Sequence, residues 1–430
     1  MKHALARRLD KVFSNTIIDR VLSRYGQRVY FPQGIVAQSQ EAGTLAHFAN
    51  ATAGVALEKK HYMTHRVFDE FSKIVSTDGM VGYAPTAGDP ALRQAWWDEV
   101  VRKNPPLASL VCSLPVITAG LTHALAVAAD LFLDSEDTII VPSPCWDNYE
   151  QILGVRHGGV VIHPPLFDSN LRFTSQALGE SICSAKTKKV FIVLNFPNNP
   201  SGYTPLQGQM EDLRDCLVAC AEAGKELVVV IDDAYFGLFH EETIYPYSLF
   251  SLLAHAHENI LAIKCDAATK EALVWGFRIG FITYAAKGLK EAHYEALVQK
   301  TMGVIRSSVS SCSRIGQSLL LAAMQQAQYR EDISHVTTEM TRRYRVVQEA
   351  IKQQKSTPVL QPLPFNSGYF CAFRCKGNAE DLRRDLLEKH RIGTVALGGD
   401  LLRVAYASVD AELLPAVIER VYRSAKTLWK

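Results

Sequence analysis

The sequence predicts an α/β protein: a large domain on a mostly parallel sheet, with a smaller α+β domain beside it. Three observations carry this expectation. Short apolar runs that read as buried strands, over residues 115–120, 138–142, 190–194, 227–231 and 260–263, are separated by helical patterns. Several of these runs end in polar residues, as strands do in sheets that bind ligands beyond their carboxyl ends. The length of 430 residues exceeds what one hydrophobic core usually serves, so two domains are expected. The larger is expected over residues 75–325, and the smaller from residues 1–74 together with 326–430.

Composition narrows the function classes. Lys and Arg number 46 against 44 Asp and Glu, a formal charge of +2, and no basic block or stripe with interleaved aromatics stands out. Nucleic acid is therefore not an expected partner. No apolar run is long enough to span a membrane, and Arg7-Arg8 has no apolar core behind it, so neither a secretory nor a twin-arginine signal is read. A cytoplasmic protein is expected. The nine cysteines lack zinc-type spacing and read as reduced thiols; Cys216 and Cys220 are one helical turn apart, as Cys371 and Cys375 would be on a helix. No metal site is expected, and P-loop, GxGxxG and GxSxG motifs are missing.

In chain order, Leu5, Leu9, Phe13, Ile17 and Val21 recur at helical spacing and predict an amphipathic helix. Phe48 to Val55 surrounds Gly54 with small residues, which suits either close packing or approach of backbone to a ligand. The loop from Gly82, carrying Tyr83, opens a helix with Asp89 as N-cap and Pro90 at its first position. The strand at 115–120 turns at Gly120 into a helix opened by Leu121 and Thr122 and running through Leu133. Such a turn presents free amides to an anion. Trp146 follows the next strand, where an indole can pack in the core or stack on a flat ligand. The strand at 190–194 runs into Asn195-Phe196-Pro197-Asn198-Asn199-Pro200-Ser201-Gly202, a rigid turn. The strand at 227–231 ends in Asp232-Asp233-Ala234-Tyr235. A carboxylate there needs a cation or donor.

The densest stretch is Lys264 to Phe281. Lys270 lies between the strand at 260–263 and an apolar run from Phe277 to Tyr284, with Arg278 at the start of that second strand. A desolvated lysine becomes a nucleophilic amine, the usual origin of Schiff-base lysines. An arginine stays charged and needs a permanent anion such as a phosphate or carboxylate. Read alone, the stretch also fits a loop whose lysine points into solvent.

The order Asn199, Asp232-x-Ala-Tyr235, Lys270 and Arg278, with eight positions from lysine to arginine, resembles the class I/II aminotransferases, fold-type-I enzymes dependent on pyridoxal 5′-phosphate. The resemblance spans roughly residues 50–408. It implies that Lys270 is the Schiff-base lysine, that Asp232 rather than Asp233 faces the pyridine nitrogen, and that Tyr235 and Asn199 bond the ring oxygen. It implies a phosphate site of Arg278, Leu121 and Thr122, completed by Tyr83 from a neighbouring subunit, with Trp146 stacked on the ring. Arg403, in Leu402-Arg403-Val404-Ala405-Tyr406, would grip the substrate α-carboxylate, and Gly54 would belong to the segment that closes over the substrate. Arg306, four residues before Ser310, resembles the arginine that crosses a dimer interface to a distal carboxylate. Its other reading is a structural or phosphate contact at that interface.

One residue departs from the pattern. The family's serine three positions before the lysine is Ala267 here, so Thr269 or Ser310 is expected to supply the hydroxyl. The residue types suit the chemistry: a carboxylate keeps a pyridine nitrogen protonated, a lysine amine moves the proton in a 1,3-shift, and a guanidinium aims the Cα–H bond. The expected protein is thus a homodimeric transaminase acting on an L-amino acid and a 2-oxo acid, with acidic or aromatic donors. Alternatives are another fold-type-I activity (a β-lyase, decarboxylase or cyclopropane-forming synthase) and a non-catalytic cofactor-binding regulatory module. A nicotinamide dehydrogenase lacks its glycine fingerprint.

Overall fold

The computed structural model describes residues 35–59, 61–63, 65–66, 75–355 and 357–430, together with His3, Ala4, Arg7 and Lys11. The amphipathic helix expected from Leu5 to Val21 lies outside the described residues. Three two-residue strands come first: β1 (Ala49–Asn50), β2 (Leu57–Glu58) and β3 (His61–Tyr62). Seven strands then form the main sheet: β4 (Val116–Thr118), β5 (Thr138–Ile140), β6 (Val161–Ile162), β7 (Lys189–Asn195), β8 (Glu226–Asp232), β9 (Ile260–Ala267) and β10 (Gly280–Ala285). Their order is β4-β10-β9-β8-β7-β5-β6. All neighbours run parallel except β10, which is antiparallel to both β4 and β9.

The centre of the sheet is apolar on both faces because helices cover both. Val228, Val229, Val230 and Ile231 of β8 are all buried, and they divide between two apolar clusters, one on each side. Each such side chain contributes roughly 1.5–3 kcal/mol on burial. Helix Leu121–Phe132 covers one face, its alanines letting it lie close. Helix Pro90–Lys103 starts as its sequence dictates, with the Asp89 carboxylate accepting from the amides of Ala91 and Leu92 and Pro90 in the first turn.

A second sheet follows, β11 (Leu360–Pro362), β12 (Phe370–Cys375), β14 (Val395–Leu397) and β15 (Leu401–Ala405), antiparallel in the order β11-β12-β15-β14. Helices Tyr329–Lys352, Ala379–His390 and Leu414–Leu428 bury its apolar face. The remaining strand, β13 (Ile392–Gly393), pairs in parallel with β1 and so ties the chain before the main sheet to the chain after it. Helix Ile35–Leu45 rests on the same region, Gln38 bonding the Ala396 amide and carbonyl and Glu41 pairing with Arg383. Among the described residues, no helix is long and apolar enough to cross a membrane.

Three local expectations need correction. The strand read over 260–263 continues to Ala267, because Lys264 and Asp266, polar in sequence, are buried and neutralised together. The strand read from Phe277 begins only at Gly280. Trp275–Phe277 form a 3₁₀ turn, and Arg278 is left-handed at φ 55° rather than extended. Cys371 and Cys375 lie on β12, not on a helix, and all nine cysteines are free thiols.

Candidate active site

The carboxyl ends of β7, β8 and β9 meet at one cleft of about 560 Å³. Strand register brings this about: Asn195, the last residue of β7, lies beside Asp232, the last of β8. A larger groove of about 780 Å³ runs between helices Pro90–Lys103 and Tyr329–Lys352. Its Glu99 is already paired with Arg102 and Arg330, and the titratable groups singled out from the sequence converge in the smaller cleft instead.

Asp232 is buried at the floor of the cleft. Its carboxylate accepts from Tyr149 Oη at 2.6 Å, the Ala234 amide at 3.0 Å and Asn195 Nδ2 at 3.3 Å. Burial pushes its pKa up to about 6, while Tyr149, the Ala234 amide and Lys270 oppose the rise. Asp233 turns the other way. It is ion-paired with buried Lys264 and accepts from Ser248 Oγ, and it does not line the cleft. The chain turns directly after this pair, the Phe236 amide donating to the Asp233 carbonyl at 3.1 Å. That turn lets Tyr235 line the same cleft as Asp232 although an extended chain would part them.

Lys270 stands on the one-turn helix Ala268–Glu271, just past β9, with Nζ 4.5 Å from the centre of the Tyr235 ring. Thr269 and Arg278 line the cleft with it. Ala267 is the last residue of β9 and offers no hydroxyl, while Thr269 brings one to the cleft wall. Ser310 does not line it.

Gly120 shows why the neighbouring turn is glycine. Its φ is 86°, and a Cβ on it would come within 2.4 Å of Arg278 Nη2. A Cβ on Gly280 would strike the Gly120 carbonyl carbon at 2.5 Å. The Arg278 guanidinium therefore sits directly over the amino end of helix Leu121–Phe132, and Leu121 and Thr122 line the cleft there. Two independent positive features, a helix terminus and a guanidinium, face one small volume. That suits a dianionic phosphate.

Arg403, on β15, enters from the second sheet and is buried. Nη1 donates to Asn199 Oδ1 and Nη2 to the Thr52 carbonyl, both at 2.8 Å, while the guanidinium lies 4.3 Å from the Phe370 ring centre. Its buried Nε has no hydrogen-bond partner. Among the described residues no carboxylate pairs with it, and burial lowers its pKa to about 10. A buried guanidinium held only by neutral oxygens is a ready receptor for an anion.

Gly54 is packed closely: a Cβ would lie 2.7 Å from Phe370 Cζ and 3.1 Å from Tyr235 Oη. Its carbonyl accepts from Trp275 Nε1 at 3.2 Å. Trp146 forms another wall, edge-on to Tyr149 at 5.5 Å between centres. Two of the singled-out residues lie away from the cleft. Tyr83 is 93% exposed, and Arg306 is exposed with Nη1 bonded to Ser310 Oγ at 2.6 Å. Sequence reasoning did not single out Tyr149, Asn195, Thr52 or Phe370, nor Ser39 and Gln40, which reach the cleft from helix Ile35–Leu45. Asn195 had a visible signal, a polar residue ending an apolar strand. Tyr149 had none, because its partner is 83 positions away.

The donor set fits pyridoxal 5′-phosphate end to end: a cationic phosphate cup, a buried carboxylate for the pyridinium, a phenol and an amide, and a lysine amine. Comparison with known proteins agrees. A model of the family described as aminotransferase class I and II matches residues 52–421. The chain is 25% identical over 353 residues to the probable aspartate/prephenate aminotransferase of Aquifex aeolicus, covering 79% of this chain and 82% of that protein. To the aspartate aminotransferase of Geobacillus stearothermophilus it is 23% identical over 415 residues, covering 91% and 96%. The crystal structure of an aminotransferase from Anaerococcus prevotii superposes with a TM-score of 0.82 at 21% identity, covering 93% of this chain and 97% of that one, a likeness of fold.

Proposed function

The chain belongs to the class I and II aminotransferases and is a pyridoxal 5′-phosphate-dependent transaminase, and on that premise we propose how its own residues divide the work. The observation that carries the proposal is Arg403: a buried guanidinium with an unpartnered Nε, opening on the same cleft as Lys270. Arg403 binds the substrate α-carboxylate bidentately and so fixes the direction of the Cα–H bond. Lys270 Nζ would serve as general base and then general acid, taking the proton from the substrate Cα and giving it back. Asp232, held by Tyr149 and Asn195, would stand ionised against the pyridine nitrogen. Tyr235 and Asn199 would bond the ring oxygen of the cofactor, and Arg278, Leu121, Thr122 and Thr269 would hold its phosphate. The bound cofactor supplies the carbonyl that accepts the amino group and the ring that takes up electrons. Trp146 would pack on that ring, and Gly54 would belong to the backbone that closes over the substrate.

The working unit in this proposal is a homodimer. Val81 and Tyr83 are 77% and 93% exposed, and Val309 and Ile315 add further exposed apolar surface. Ser318 Oγ donates to the Gly79 carbonyl, joining the helices that carry Val81 and Ile315. Such a patch supports burial against a second copy, which would bring Tyr83 and Arg306 to the partner's cleft. The same reading keeps a large domain over residues 75–325 and assigns the enzyme to the cytoplasm, where free thiols persist.

For the donor, we take Arg306 to read a distal carboxylate, which makes aspartate and glutamate the favoured amino acids. In support, the relatives above include an aspartate aminotransferase. The test is kcat/KM of the wild type and Arg306→Ala on aspartate, glutamate, tyrosine, leucine and alanine. Loss of a buried charge pair is expected to cost the acidic donors about thirty-fold or more. A uniform loss over all five would place Arg306 in a structural or phosphate role and remove the acidic-donor reading.

A further inference from the structure

His123 lies in the first turn of helix Leu121–Phe132, beneath the turn that faces the cleft, and does not line the cleft itself. Its two ring nitrogens have fixed and different roles. The Ala119 amide donates to Nδ1 at 3.0 Å, and an amide can only donate, so Nδ1 carries a lone pair. Nε2 lies 3.0 Å from Ser308 Oγ. The single Ser308 hydroxyl proton is directed to the Val304 carbonyl at 2.9 Å or the Ile305 carbonyl at 3.2 Å, which leaves Oγ as the acceptor from Nε2–H. The ring is therefore the neutral Nε2–H tautomer, in a chain of donors running from Ala119 through His123 and Ser308 to Val304.

That chain joins two parts of the molecule. At one end is the Gly120 turn, whose backbone lies against Arg278 and Gly280. At the other is the last turn of helix Glu291–Ser308, which carries exposed Arg306. We propose that His123 is a positioning residue for the phosphate end of the cofactor, a neutral strut that fixes the Gly120 turn against the Arg306 segment and releases it when the ring is protonated. The inference rests on the reading that this turn, with Arg278, holds the phosphate.

Protonation has a defined effect here. A proton on Nδ1 would set a donor against the Ala119 amide, and one of the two must move away. The surrounding charges are few: Asp130 on the same helix, Arg156 paired with it at 2.7 Å, and His157 beyond that at 3.5 Å. Burial and the Arg156 charge both favour the neutral ring over the opposing pull of Asp130, so the switch falls on the acid side of the usual histidine value.

The test titrates the full-length protein, freed of cofactor, with pyridoxal 5′-phosphate and with pyridoxal, which lacks the phosphate. Affinity is read by absorbance from about pH 8 to about pH 5. His123→Gln keeps one acceptor for Ala119 and one donor for Ser308 but does not titrate. It should retain the wild-type affinity at neutral pH and lose part of the acid fall-off. The phosphate itself titrates near pH 6, so the informative quantity is the difference between wild type and this variant. His123→Leu and Ser308→Ala should each weaken pyridoxal 5′-phosphate about three- to tenfold throughout, with pyridoxal unaffected. Nitrogen chemical shifts of the His123 ring should report the Nε2–H tautomer. Identical pH dependence in wild type and His123→Gln, or unchanged affinity in both His123→Leu and Ser308→Ala, would overturn the proposal. Arg278→Ala separates the two layers. If it erodes the preference for the phosphorylated ligand while the His123 variants do not, only the strut fails. If it too leaves the preference intact, the phosphate reading fails and the strut with it.

Discussion

Arg403→Met isolates the proposed carboxylate receptor from the rest of the site. Methionine keeps much of the side chain that packs on Phe370 and removes only the charged fork. The guanidinium has five N–H donors. Two of its bonds go to Asn199 and Thr52, which leaves three N–H donors, the buried Nε–H among them, from which the proposed bidentate pair to the substrate would be drawn. Two charge-assisted bonds lost to an amino acid cost about 3–5 kcal/mol, or about a hundred-fold to several thousand-fold in rate. Folding should change little. The variant loses the bonds to two neutral oxygens but also a desolvated charge whose pKa burial has lowered to about 10, and these effects oppose each other. The assay is the single-turnover rate of wild type and variant with an amino acid, and with the primary amine of the same side chain that lacks the carboxylate. The amino acid should lose the full factor and the amine almost none. An equal loss on the amine, or an amino-acid rate within a few-fold of wild type, would refute the assignment.

Two further outcomes follow from the buried groups. Asp232→Ala should weaken cofactor binding and slow Cα deprotonation. Asp233→Ala should leave both nearly intact but destabilise the fold by on the order of 3 kcal/mol, because Lys264 loses its closest partner in the interior; denaturant unfolding and cofactor titration of both variants check this. His240, buried between Thr341 and the Gly368 carbonyl, has its pKa lowered to about 4, chiefly by burial. Its unfolded form binds the proton first, so its contribution to stability is whole above about pH 6.5 and is lost as the pH falls towards 4. The loss amounts to on the order of 3 kcal/mol. Urea midpoints across that range should fall more steeply for wild type than for His240→Gln.

The parts of the fold legible in the sequence are those whose physics is local. The buried strands announced themselves as apolar runs, and Asp89-Pro90 announced a helix start. The spacing of Lys270 and Arg278 carried a constraint because both must reach one cleft from either side of a short link. What stayed hidden depends on partners distant in the chain. Lys264 ended the predicted strand because nothing local showed that Asp233 and Asp266 would neutralise it. Tyr149 and Asn195 reach Asp232 through strand register and a neighbouring turn. The left-handed Arg278 is set by close packing against Gly120 and by the Trp275 carbonyl, which accepts from its Nη1. Arg306 and Tyr83, singled out by pattern alone, lie exposed on the surface of the chain, away from the cleft.

The central claim is that Lys270 and the groups around it move an amino group onto the cofactor. The most direct measurement is the visible absorption spectrum of the purified protein, recorded before and after one amino acid is added without any 2-oxo acid. The wild type should convert its cofactor stoichiometrically from the aldehyde to the amine form and release one equivalent of 2-oxo acid. Lys270→Ala should bind the cofactor yet convert several orders of magnitude more slowly, since it lacks the amine that carries the proton. Continuous release of ammonia, or conversion by Lys270→Ala at close to the wild-type rate, would contradict the account.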